Sequence, residues 1–113
     1  MDSGGLQVNE VSIARAIVAG VRSVPGVADV SPGRFAEVAT YGPGEKVRGV
    51  AVSQAAGALD INVHLCALYA HSLVLPELAD RVRSAVRQSV EALGVGLPRR
   101  IDVAFDDLRV EEA

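Results

Sequence analysis

Residues 58–70, ALDINVHLCALYA, alternate more regularly than any other stretch of this 113-residue chain, and their reading decides the fold. Leu59, Ile61, Val63, Leu65, Ala67 and Tyr69 fall on one side, while Asp60, Asn62, His64, Cys66 and Leu68 fall on the other. That two-residue repeat is the signature of a strand with one face in a core. An apolar strand face needs cover, and amphipathic segments lie on both sides of it in the sequence. Before it, residues 10–24 place Ile13, Ala14, Ile17, Val21 and Val24 at helical spacing, with Asn9 as the N-cap. After it, PELADRVRSAVRQSVEALG, residues 76–94, aligns Leu78, Val82, Val86, Val90 and Leu93 in one stripe. Pro76 suits a first helical turn, where its missing N–H would have no partner, and Gly94 supplies the stop. Glu77 with Arg81 and Arg87 with Glu91 stand at the i,i+4 spacing of helical ion pairs.

The remaining segments complete a sheet. Pro25-Gly26 ends the first helix, and an extended stretch from Val27 is interrupted by Ser31-Pro32-Gly33. YGPGEK, residues 41–46, reads as the turn between a weak strand at 34–41 and another at 47–54. In the closing stretch RRIDVAFDDL, Ile101, Val103 and Phe105 share one face, with Asp102, Ala104 and Asp106 on the other. The predicted order is α-β-β-β-α-β. A strand–helix–strand crossover over 58–107 predicts two parallel strands and a right-handed connection, whereas the hairpin strands are antiparallel. The expected fold is α+β: a two-layer sandwich in which a mixed sheet of about four strands carries both helices on one face. One domain at 9–109 is expected, between a polar arm at 1–8 and a short acidic tail at 110–113.

Composition narrows the function classes. Half of the residues are hydrophobic but only 4% are aromatic, so the core must be built from Val, Leu, Ile and Ala. The net charge of −3 gives no general attraction to nucleic acid or anionic lipid. A single cysteine makes no internal disulfide, and MDSGGLQVNE lacks the basic and apolar regions of a secretory signal, so a reducing, cytoplasmic setting is expected. No apolar run approaches the roughly 18–20 residues of a membrane span.

The segment 58–70 also raises a question of chemistry, because His64 and Cys66 stand two residues apart on the face opposite the core. Residues two apart in a strand are separated by about 6.6 Å, and residues four apart by about 13 Å, which keeps Asp60 from sharing an ion with His64. Zinc needs three or four protein ligands, and only Asp102 or Asp106 on the final strand is placed to add one. A Cys–His nucleophile requires contact within about 3.2 Å, which parallel side chains at i and i+2 seldom achieve. Gly42 and Gly44 lack phosphate-loop spacing. The expectation is therefore no catalytic site, no metal and no cofactor.

VPGVADV after the first helix, the long strand ending in Tyr69, Leu75-Pro76-Glu77-Leu78-Ala79 opening the second helix, and the final alternating strand together resemble the bacterial alkaline-shock protein family of general-stress proteins. The likeness covers residues 9–109, with Ala70 where the family often has glycine. It implies a cytoplasmic, non-enzymatic protein of cell-envelope stress that self-associates and is recruited to the membrane by a small anchoring protein. Two surfaces follow as candidates. One is the sheet face without helices, where His64, Cys66, Leu68 and Ala104 make a semi-apolar interface for a second copy or a partner. The other is a basic patch of Arg83, Arg87, Arg99 and Arg100, the basis of an alternative reading as an RNA- or ribosome-binding protein. With Tyr69 and Phe105 at core-facing positions, few aromatics remain for base stacking, which argues against nucleic acid.

Overall fold

A computed structural model describes residues 9–110; the arm expected at 1–8 and residues 111–113 of the tail lie outside the described residues. Asn9 is extended (φ −87°, ψ 172°), and its side-chain oxygen accepts the Ser12 N–H at 2.8 Å. This capping bond starts α1 (Glu10–Arg22), which Ser23 and Gly26, at φ +101°, bring to a close. The chain then forms β1 (Val27–Val30), β2 (Ala39–Gly42), β3 (Glu45–Arg48), β4 (Val50–Ala55) and β5 (Ala58–Leu68). A second helix, α2 (Leu75–Ala92), leads through Gly94 and Gly96, both at positive φ, to β6 (Arg100–Arg109).

β5 is the centre of the sheet. One of its edges pairs with β6 in parallel, as the crossover predicts, from Asp60↔Arg100 to Leu68↔Arg109. Its other edge is shared in series: β4 pairs antiparallel with Ala58–Val63, and β1 pairs antiparallel with Leu65–Ala67. The changeover falls at His64, whose N–H donates to Gly49 O at 2.9 Å and whose C=O accepts from Ser31 N at 2.8 Å. Four strands thus occupy three columns. The mixed four-stranded sheet is as expected, and the class is α+β.

Both helices cover the same side. Ile13, Ala14, Ile17 and Val21 of α1 and Leu78, Val82, Val86 and Val90 of α2 pack with Leu59, Ile61, Val63, Leu65 and Ala67 of β5, all buried. Ile101, Val103 and Phe105 of β6 complete this layer as half-buried residues. The helices approach each other closely at Gly20, where a methyl group would overlap the Ser89 hydroxyl.

The observed order, α-β-β-β-β-β-α-β, has two strands more than expected before α2. Gly49, at φ +91°, breaks the strand predicted at 47–54 into β3 and β4, so that β2 and β3 form a separate two-stranded hairpin. A side chain there would collide with Val30, and the positive φ favours glycine in any case. The hairpin is joined to the main sheet by Thr40, only 4% exposed. Its Oγ1 donates to Val50 O at 2.7 Å and accepts from Val52 N at 3.0 Å. Two backbone groups on the edge of β4 are thereby met by one hydroxyl. The strand predicted at 34–41 shrinks to β2, because residues 32–38 instead form a loop closed by Val38 N donating to Pro32 O at 2.9 Å.

Candidate functional site

The sheet face away from the helices carries Asp60, Asn62, His64, Cys66 and Leu68 of β5 beside Arg100, Asp102, Ala104, Asp107 and Arg109 of β6. This face is not open along its whole length. The segment from Ser31 to Arg34 crosses it, with Arg34 Nη1 donating to Asp106 O at 3.4 Å. Beneath lies a cleft of about 350 Å³ bounded by Ser31, Gly33, Arg34, Cys66 and Asp106. Cys66 is only 9% exposed. Of the residues expected at an interface, Cys66 is buried, His64 is engaged by a carboxylate, and Leu68 and Ala104 are half-buried. The Ser31-Pro32-Gly33 interruption starts the excursion over the sheet.

His64 and Asp106 form the most enclosed polar pair in the molecule. Nδ1 lies 3.1 and 3.0 Å from the two carboxylate oxygens, with the side chains 20% and 13% exposed. A register shift makes the contact. Leu65 pairs with Phe105 and Cys66 with Asp107, so Asp106 is the extra residue of a bulge. A carboxylate on Nδ1–H fixes the imidazole tautomer and leaves Nε2 as the acceptor of a neutral ring. Such a pair orients a base or begins a metal site; among the described residues no third His, Cys, Asp or Glu joins it to make a ligand group.

Three of the four arginines of the expected basic patch pair with aspartates. Arg99 makes a two-pronged contact with Asp60, Nε to Oδ1 at 3.1 Å and Nη2 to Oδ2 at 2.6 Å. This guanidinium holds the Asp60 carboxyl below its ordinary pKa, and the carboxylate in turn raises that of Arg99. Arg100 Nε lies 2.9 Å from Asp102 Oδ2. Arg83 reaches Asp80 at 3.2 Å and places Nε 3.4 Å from Ile101 O. Arg87 is exposed. The pairs expected at Glu77–Arg81 and Arg87–Glu91 are absent among the described residues, and Asp80–Arg83 takes their place on α2.

A different surface emerges where β5, β6 and the start of α2 meet. Tyr69, expected in the core, is 47% exposed, because β5 ends at Leu68 and the alternation ends with it. Val74, Leu75, Leu108 and Val110 are exposed as well. Leu75, Phe105 and Leu108 line a second cleft of about 350 Å³ with Arg34. Sequence reasoning missed this surface, although the consecutive Asp106-Asp107 in an otherwise alternating strand is the mark of the bulge that creates it.

The outer edge of β6 continues that surface. His64 turns its N–H and C=O toward β4 and β1, and Arg99 N donates to Leu59 O at 2.8 Å, so the odd-numbered residues of β5 serve β6. In a parallel ladder Ile101, Val103 and Phe105 then direct their backbone groups outward. Arg83 meets Ile101 O, and no strand among the described residues pairs there. No helix among the described residues is long and apolar enough to cross a membrane. No known protein family, curated protein or solved structure matches the chain.

Proposed function

We propose that this protein is a non-catalytic interaction module that associates with a second copy of itself along the outer edge of β6. The observation that carries the reading is the outer edge of a ten-residue strand, which no strand among the described residues pairs, flanked by exposed Leu75, Leu108 and Val110. An exposed edge of this length is a template for pairing unless it is blunted, and β6 carries no proline. A twofold axis at Val103 would set two β6 strands antiparallel, with Ile101 opposite Phe105 of the second copy. The same arrangement sets the Arg100 end of β6, where Arg100 pairs with Asp102 in the single chain, toward the Asp106–Asp107 end of the second copy, so ends of unlike charge meet across the seam. The contact requires the Arg83 guanidinium to leave Ile101 O, a long, half-buried bond of 3.4 Å.

The resemblance to alkaline-shock proteins supports a place for this assembly in cell-envelope stress, in the cytoplasm, with membrane recruitment through an anchoring protein. RNA binding through Arg83, Arg87, Arg99 and Arg100 has no comparable support, since the chain holds only four aromatic residues for base stacking and three of these arginines pair with aspartates.

Sedimentation equilibrium tests the reading. Val103→Pro deletes an N–H that β5 does not use and closes the outer edge, and Arg100→Glu sets like charges across the seam. The native chain should dimerise, and each variant should shift the equilibrium toward monomer while keeping its helical circular dichroism. A native chain that stays monomeric at its highest soluble concentration contradicts the proposal.

A further inference from the structure

A cleft of about 590 Å³ with no lining residue from β6 lies between α1 and the hairpin strand β3. Its walls carry four cations, Arg15 and Arg22 from α1 and Lys46 and Arg48 from β3, and no acidic residue lines it. The floor is aliphatic, formed chiefly by Val18 and Val47. In a chain of net charge −3 with 11 basic residues, this gathers four positive groups around one apolar surface. The arrangement follows from two periodicities. Arg15 and Arg22 are seven residues apart, two turns along one helix face, and Lys46 and Arg48 are two apart on one strand face.

Each cation is already oriented by a carboxylate at the rim. Arg15 pairs with Glu45, Arg22 Nε lies 3.0 Å from Asp29, and Lys46 and Arg48 share Glu37 at 2.9 and 3.8 Å. These rim pairs are solvent-exposed and hold their partners weakly. A phosphate presents more charge than a carboxylate, and its oxygens match the forked guanidinium of arginine. We infer that the α1–β3 cleft binds an organic phosphate, with the phosphate drawn to the Arg15, Arg22, Lys46 and Arg48 cations and its aliphatic body laid on Val18 and Val47. The volume lies within the roughly 300–1,000 Å³ range of small-molecule sites. The cleft shares no residue with the β6 edge, so this site and self-association stand or fall separately.

Calorimetric titration of the full chain with octyl phosphate, inorganic phosphate and octyl glucoside at low salt tests the assignment. Octyl phosphate should bind at least about tenfold more tightly than either of the others, because only it satisfies both the cations and the floor. Arg15→Gln and Arg48→Gln should each weaken it about tenfold, whereas Arg87→Gln, on the far helix, should leave it unchanged. Melting curves of the variants check that the fold is retained, and Val47→Ser, which alters the floor alone, should reduce the preference for octyl phosphate over inorganic phosphate. Flotation with phosphatidylcholine vesicles, with and without phosphatidic acid, identifies the source. Arginine-dependent flotation on phosphatidic acid makes the ligand a lipid headgroup, and octyl phosphate binding without flotation makes it a soluble ester. No octyl phosphate binding, equal affinity for inorganic phosphate, or equal weakening by Arg87→Gln overturns the inference.

Discussion

Thr40→Val isolates a side chain that ties the hairpin to the main sheet. Valine has the shape of threonine without its hydroxyl, so packing is nearly unchanged while Val50 O and Val52 N lose their shared partner. Leaving a buried backbone group unsatisfied costs about 1–3 kcal/mol, and two such groups give about 2–6 kcal/mol. The methyl that replaces the hydroxyl returns roughly 1 kcal/mol of apolar burial. A net loss of about 1–5 kcal/mol is expected, a sizeable part of the roughly 5–15 kcal/mol by which a domain is stable. Thr40→Ser provides the control, because it keeps the hydroxyl and removes one methyl, for a loss of about 1 kcal/mol. Urea unfolding followed by circular dichroism reads both, with an unchanged slope confirming that the unfolded state is not at issue. If Thr40→Val is as stable as Thr40→Ser, the hydroxyl bridge is not what completes the edge of β4, and water must reach those backbone groups.

Further variants and conditions test the packing and the charges. Gly49→Ala should lower stability by more than about 1 kcal/mol, since alanine at φ +91° is strained and its methyl would meet Val30; thermal melting checks it. Gly20→Ala should change stability by less than about 1 kcal/mol, since the Ser89 hydroxyl can rotate away at the cost of its bond to Ala85 O while alanine favours the helix, and Gly20→Ala with Ser89→Ala should gain up to about 1 kcal/mol over Ser89→Ala alone in the same melts. The carboxyls of Asp29, Glu37 and Asp60 are all held below their ordinary values: Asp29 by the Val30 N–H and then Arg22, Glu37 by the Tyr41 hydroxyl and then Lys46, Asp60 by Arg99. Their contribution is therefore complete above the unfolded values of 3.8 for aspartate and 4.5 for glutamate, and is lost as pH falls through the lower folded values. Stability measured from pH 7 to 2 should stay level and then drop on the acid side, with a shallower drop in Asp60→Asn.

Much of the fold is written in periodicity, and the exceptions have physical causes. β5, β6, α1 and α2 are long elements with one apolar face each, so their spacing alone identifies them and implies the layer they share. The hairpin region is different. Val47, Val50 and Val52 look like one strand because the backbone twist at Gly49 has no hydropathy signal, only a glycine that invites it. Residues 34–38 mimic a strand but belong to a loop, and the Ser31–Arg34 segment that leads into it lies against Cys66. The site suffered most where the bulge intervenes. One extra residue at Asp106 turns a carboxylate to His64 and sends Leu108 outward, a displacement that alternation counted along β6 by itself does not give. The basic patch failed for another reason: arginines close in sequence found aspartates on three separate elements, α2, β5 and β6. The four cations of the α1–β3 cleft come from segments about 30 residues apart, and only the hairpin's packing on α1 brings them together.

Amide hydrogen exchange at Val103 probes the central claim most directly, because its N–H turns to the outer edge of β6 and pairs only when a second copy arrives. The account predicts fast exchange in dilute protein and strong protection in concentrated protein, with Arg100→Glu restoring fast exchange. Exchange at Val103 that is the same at both concentrations, while the chain sediments as a dimer, would put the interface elsewhere and contradict the proposed mode of assembly.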